Sequence, residues 1–178
     1  MGRAAAWLAR RGPPFPTMTK RKPPIRDAST RAMGLLARRE HSRRELRRKL
    51  MTGGHDETEV DSALARLGDN GLQSDQRFAE VLVRSRIAQG HGPVRILAEL
   101  RLHGLDDAQA GQVLDAAEPD WTALAQDLYR RRFRGPAVGQ AERVRRARFL
   151  AARGFPPAIA RSCLDLPPGD DDPFDPQD

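Results

Sequence analysis

Four histidines, one cysteine and a scatter of carboxylates are the residues here that could make or break bonds. A zinc site needs His or Cys ligands at short intervals, for instance one helical turn apart. His41, His55, His91 and His103 show no such spacing. Cys163 has no neighbouring Cys or His, which excludes a zinc site and a disulfide framework. Glu57, Glu59, Asp61, Asp106 and Asp107 stand where helices are expected to start. Carboxylates there cap free amide donors and complement the helix dipole. An acid/base pair for hydrolysis would need burial, and nothing in the pattern provides it. The phosphate-cradling G-x-x-x-x-G-K-[ST] loop is absent. Gly90-His91-Gly92 precedes Pro93, so it reads as a tight turn with proline in the first turn of the next helix. Neither an enzyme site, nor a cofactor, nor a metal is expected.

Arginine is what remains. The net charge is +7 and the pI near 10.8, which calls for an anionic partner. Residues 1–27 hold seven bases and one acid, residues 28–72 nine and seven, and residues 73–120 five and eight. Residues 121–166 hold ten bases and three acids, and 167–178 five Asp with no base. One third of the folded part therefore carries most of the attractive field. No stretch approaches the ~20 apolar residues of a membrane helix. Ala4 to Ala9 is too short for a signal h-region, so a cytoplasmic protein without membrane contact is expected.

These side chains must be held by helices. Ala, Leu, Arg and Glu dominate, and aromatics are only 5% of the chain, too few for one large core. The middle repeats with a period of fifty: Leu50, Leu100 and Leu150 each precede a glycine four residues on, Gly54, Gly104 and Gly154. Leu64, Leu114 and Leu164 follow, with Val60, Ala110 and Ala160 in register, and Ala63, Val113 and Cys163 likewise. That makes Cys163 a small core side chain rather than a nucleophile. Such self-similarity is the mark of tandem units.

Each glycine is placed to close a helix in the left-handed conformation. Asp56 with Glu59, and Asp106 with Gln109, have capping-box spacing, and the third copy uses Pro156-Pro157 instead. A further helix precedes each pair: one through Met33, Leu36 and Ala37, one capped by Ser74 or Asp75 through Phe78, Leu82 and Val83, one from near Pro119 through Trp121, Leu124 and Leu128. The expectation is an all-α protein of three three-helix units, residues 28–72, 73–118 and 119–166, stacked as an elongated curved row. A disordered basic arm, 1–27, and an acidic tail, 167–178, flank it.

The basic residues fall on the helices that precede the last one of each unit. In the first, Arg43 and Arg47, and Arg44 and Arg48, form rows one helical turn apart. The second has Arg84, Arg86 and Arg95, and there Glu80 and Glu99 stand one turn from Arg84 and Arg95 as intrahelical partners. The third has Arg130, Arg131 and Arg132, then Arg143, Arg145, Arg146 and Arg148, whose acids are too few to neutralise them. A helix–turn–helix reader of base edges would present the start of its last helix. Here that start is Glu57-Thr58, Asp107-Ala108 or Pro157-Ala158, and the arginines lie one helix earlier. Sequence-specific recognition is disfavoured, and contact with backbone phosphate or protein stays open.

Arg39-Glu40-His41-Ser42-Arg43-Arg44-Glu45-Leu46 with Lys49-Leu50 resembles a signature of the RecX regulators. Gly71-Leu72, Asp75, Arg77-Phe78-Ala79, Arg84-Ser85-Arg86, Gly90-His91-Gly92-Pro93, Arg95-Ile96 and Glu99-Leu100 resemble a second. Arg145-Arg146, Arg148-Phe149-Leu150 and Arg153-Gly154-Phe155 resemble a third. The resemblance spans roughly residues 28–166. It implies tandem three-helix repeats lying in the groove of the RecA–DNA filament, where they hold down ATP hydrolysis, strand exchange and co-protease action. The implied partners are RecA in filament form and single-stranded DNA within it, met by a monomer. The alternative is an autonomous DNA-binding protein without sequence specificity.

Overall fold

A computed structural model describes residues 27–165. Its described residues are helical throughout, with no strand: α1 (Ala28–Leu36), α2 (Arg43–Thr52), α3 (Glu57–Asp69), α4 (Asp75–Ala88), α5 (Pro93–Leu102), α6 (Asp107–Ala116), α7 (Trp121–Arg132), α8 (Gly139–Arg153) and α9 (Pro157–Leu164). The basic arm and acidic tail expected at the two ends lie outside the described residues, save Asp27, which caps α1.

Helices α1–α3, α4–α6 and α7–α9 form three units, each with its own core. Leu46, Leu50, Val60 and Leu64 fill the first, Phe78, Ile96, Leu100 and Val113 the second, Tyr129, Leu150, Phe155 and Cys163 the third. The fifty-residue register is the register of these cores: Leu50, Leu100 and Leu150 are all fully buried. Cys163 is buried as well, and burial pushes its thiol above the ordinary value. Helix α1 departs from the expected face. It turns Ala28 and Ala32 inward with Leu35 and Leu36 beside them, and leaves Met33 exposed.

The ends of the helices follow local chemistry. Ser42, Ser74, Asp106 and Asp120 cap their helices through side-chain oxygens. Gly54, Gly104 and Gly154 all have positive φ, as the turns require. The capping box is complete only at Asp106 and Gln109. Asp56 does cap α3, accepting from the Thr58 N–H, but Glu59 turns away. Its carboxylate accepts the Ala28 N–H at 2.7 Å, serving the start of α1. A free donor on a neighbouring helix competes with the local one, and sequence spacing does not record it.

The middle helices of the units run head to tail. The Gly92 N–H at the start of α5 donates to the Arg153 carbonyl at 2.8 Å, and the Val94 N–H to the Gly154 carbonyl at 3.1 Å. The last carbonyls of α8 and the first amides of α5 thus satisfy each other, with dipoles aligned. The end of α5 meets the start of α2 in turn. There Ser42 Oγ lies 3.2 Å from His103 Nδ1, and the Gly104 Cα faces the Arg44 methylenes.

Candidate partner-binding interface

The α5–α2 junction opens a groove of about 1170 Å³ between the first two units. Helix α2 contributes Arg44, Arg47, Arg48 and Met51, the end of α4 Arg86 and Gln89, and α5 Arg95, Glu99 and Leu102. Of the groove's five arginines, two are already held. Arg47 pairs with Glu57 and with Asp61 at 3.0 Å, both on α3. Arg86 grips Glu99 bidentately at 2.7 and 2.5 Å. Arg44, Arg48 and Arg95 have no carboxylate partner among the described residues.

The groove's own acids are likewise engaged. Burial works to raise the Glu45 carboxyl, but Arg39 at 2.5 Å, Lys49 at 2.9 Å and His41 at 3.0 Å outweigh it and hold it at about 2. Glu99 is lowered chiefly by Arg86. Burial depresses His103, and burial with Arg95, Arg86 and Arg153 depresses His91, so both imidazoles are neutral at pH 7. The unbalanced charge of the groove is that of Arg44, Arg48 and Arg95.

Gln89 belongs also to a smaller cleft of about 330 Å³ at the next junction, lined by Arg131, Arg132, Phe149 and Arg153. The basic surface therefore continues from the first unit to the third. In the third, every carboxylate from Trp121 to Asp165 is taken: Asp127 by Arg131, Glu142 by Arg145 and Arg146, Asp165 by Arg143 at 2.8 Å. Arg130, Arg132, Arg134 and Arg148 are exposed without a carboxylate among the described residues.

The fourteen arginines singled out from sequence thus separate. Arg44, Arg47, Arg48, Arg86 and Arg95 meet in one groove. Arg84 lines a different, largely apolar cleft with Ala116, Ala117 and Leu124. Arg43 is exposed, and its backbone N–H donates to Asp75 at 2.7 Å. Two local pairings expected in the second unit do not form. Glu80 accepts from Gln76 rather than Arg84, and Glu99 takes Arg86 rather than Arg95. At Glu99 a bidentate fork from the neighbouring helix outcompetes a single flexible contact along its own.

Arg146 is an internal strut. It is only 6% exposed, donates to Tyr129 Oη and the Gly135 carbonyl, each at 2.9 Å, and to Glu142 at 2.7 Å. Its guanidinium also lies 4.9 Å from the Phe133 ring centroid. One signal marks it: positions fifty and a hundred residues earlier are Ile96 and Leu46, both fully buried. Leu102 and Met51 are the groove residues that charge reasoning overlooks, being apolar side chains on exposed helix faces.

Among the described residues no helix is long and apolar enough to cross a membrane, and no three His, Cys, Asp or Glu are grouped as metal ligands. Fold and surface together define an all-α protein of three tandem three-helix domains with a basic groove between the first two. Models of the first, second and third three-helix domains of RecX match residues 28–67, 74–114 and 118–164. The chain belongs to the RecX family of regulatory proteins. It is 48% identical to regulatory protein RecX of Stenotrophomonas maltophilia strain K279a, over 79% of this chain and 87% of that one. Against regulatory protein RecX of Halorhodospira halophila it is 49% identical, over 74% and 80%. A crystal structure of regulatory protein RecX superposes with TM-score 0.68 at 23% identity, covering 78% of this chain and 70% of that one. RecX from Lactobacillus salivarius gives 0.66 at 23%, over 80% and 97%. At that identity the likeness is one of fold.

Proposed function

We propose that this protein acts in the cytoplasm as a monomer that binds the RecA–DNA filament and restrains RecA, without catalysing a reaction itself. The restrained activities are ATP hydrolysis, strand exchange and co-protease action. The observation that carries this reading is the convergence of Arg44, Arg48 and Arg95, from two units, in one groove, none of them paired with a carboxylate among the described residues. Unpaired cations lining a concave surface attract and orient an anionic partner. A filament of protein and single-stranded DNA offers both carboxylate and phosphate.

The third unit favours a second reading. Its exposed Arg130, Arg132, Arg134 and Arg148 would serve an autonomous DNA-binding protein equally well. The two separate on affinity at physiological salt, measured for assembled RecA filaments and for bare single strands. Stronger binding to filaments, with inhibition of DNA-dependent ATP hydrolysis at the same concentrations, is expected. Equal affinities would favour the second reading. Replacing those four arginines by alanine should flatten the salt dependence by roughly 0.7 per lost phosphate contact. A weaker complex with an unchanged slope would move them onto RecA.

A further inference from the structure

The groove between the first two units carries a feature that charge alone does not explain. Leu102 is 73% exposed and Met51 38% exposed, and both line the groove among Arg44, Arg48 and Arg95. Neither belongs to the cores that hold the units together. Position 102 is Thr52 in the first unit and Ala152 in the third, so the repeat does not demand a leucine there.

We propose that this groove docks an acidic protein segment carrying large apolar side chains, rather than a nucleic-acid strand. The inference rests on the filament reading and assigns this part of the surface to the protein component. Unpaired cations around exposed apolar side chains match a segment whose carboxylates flank a leucine or an aromatic residue. Burying Leu102 and Met51 under such a side chain gains apolar contact, and methionine adapts to the shape it meets. Arginine and methionine around an apolar centre are the composition of protein interfaces.

The chemistry fits a single strand poorly. Nucleic-acid grooves without sequence preference stack bases on aromatic side chains. The groove's rings are two neutral imidazoles, and its lining among the described residues holds no Phe, Tyr or Trp.

The test uses the full chain and three fluorescent probes: a short Asp/Glu peptide with leucines at helical spacing, the same peptide with every leucine replaced by serine, and oligo(dT). The leucine peptide should bind at least about tenfold more tightly than the serine peptide, as expected for one apolar side chain entering a pocket. The double variant Leu102→Ser, Met51→Ser should abolish that preference and leave oligo(dT) affinity unchanged. Neither side chain belongs to a unit's core, so the variant is expected to melt near the parent temperature. Arg44→Ala, Arg48→Ala and Arg95→Ala together should weaken both peptides. Equal binding of the two peptides by the parent overturns the proposal. So does displacement of the leucine peptide by oligo(dT) at the groove, or loss of oligo(dT) binding in the double variant. Those outcomes make it a phosphate site. Should the parent bind the leucine peptide but not RecA filaments, the filament reading fails and the groove assignment stands.

Discussion

The two junctions between units are built differently. The second and third units meet backbone to backbone, through Gly92 and Val94 amides on the carbonyls of Arg153 and Gly154. Trp121 packs against both of their cores. The first and second units meet through side chains: Ser42 with His103, Arg77 with Glu40 at 2.9 Å, and Gln73 with the His41 carbonyl at 3.4 Å. Among the described residues no apolar side chain joins the first two cores in that way. A backbone joint admits one geometry, because a single added carbon blocks it. A joint of polar side chains can adjust by changing rotamers. The molecule pairs a fixed joint at its charge-rich end with an adaptable one at the groove.

The widest test of this contrast uses the three equivalent glycines. A Cβ on Gly154, already at φ +91°, would stand 2.6 Å from the Arg95 backbone nitrogen. Gly154→Ala should lose roughly 3–5 kcal/mol from strain and overpacking together. Hydrogen exchange should show the Gly92 and Val94 amides losing protection first. Gly92→Ala should behave alike, since its Cβ would meet the Gly154 carbonyl carbon at 2.5 Å. Retained protection in both variants would mean the joint is looser than its geometry implies.

Next in size is Arg146→Ala, which should destabilise by about 2–4 kcal/mol. It leaves Tyr129 Oη and the Gly135 carbonyl without their donor. Arg148→Ala, two residues on and exposed, should stay within about 0.5 kcal/mol. Denaturant melts of the two variants give the comparison directly. Similar losses would show that Arg146 is a surface charge and the third unit's core ordinary.

Acid should act on the first unit more than on the third. Glu45 and Glu142 are each held at about 2, below their usual 4.5. A carboxyl lowered in the folded state stabilises fully above its unfolded value. That contribution disappears as the pH falls from about 4.5 toward 2. Glu45 is buried, whereas Glu142 is 23% exposed and so partly screened by solvent. Glu45→Gln should therefore flatten the acid limb of stability against pH clearly, and Glu142→Gln only slightly. Equal flattening would place the two carboxylates in equivalent surroundings.

The smallest effects belong to the glycines of the adaptable side. A Cβ on Gly54 meets nothing within 4 Å, and one on Gly104 meets only Arg44 methylenes at 3.5 Å. Alanine at either should cost about 1–2 kcal/mol, the strain of positive φ alone. A loss at Gly104 as large as at Gly154 would erase the distinction between the joints.

Sequence by itself determined the helical units, several of their caps and most of the residues they bury, because these obey rules of short range. A cap acts over three residues, a core face recurs every three or four, and the period of fifty repeats both. It carried Cys163 inward beside Ala63 and Val113, and it also carried Arg146 to the place of Leu46 and Ile96. Charge concealed that second message, since an arginine with its own buried partners breaks the apolar pattern without leaving the core. Only the tertiary structure decided which arginines remain unpaired. Glu99 chooses Arg86 on another helix over Arg95 on its own, and Arg47 reaches across to Glu57 and Asp61. It alone decided that Gly154 is jammed while Gly54 is open. The ion pairs depend on how the helices of one unit cross, and the jam at Gly154 on how one unit is rotated against the next, a few degrees and ångströms summed from many contacts. No spacing within a single unit encodes that rotation.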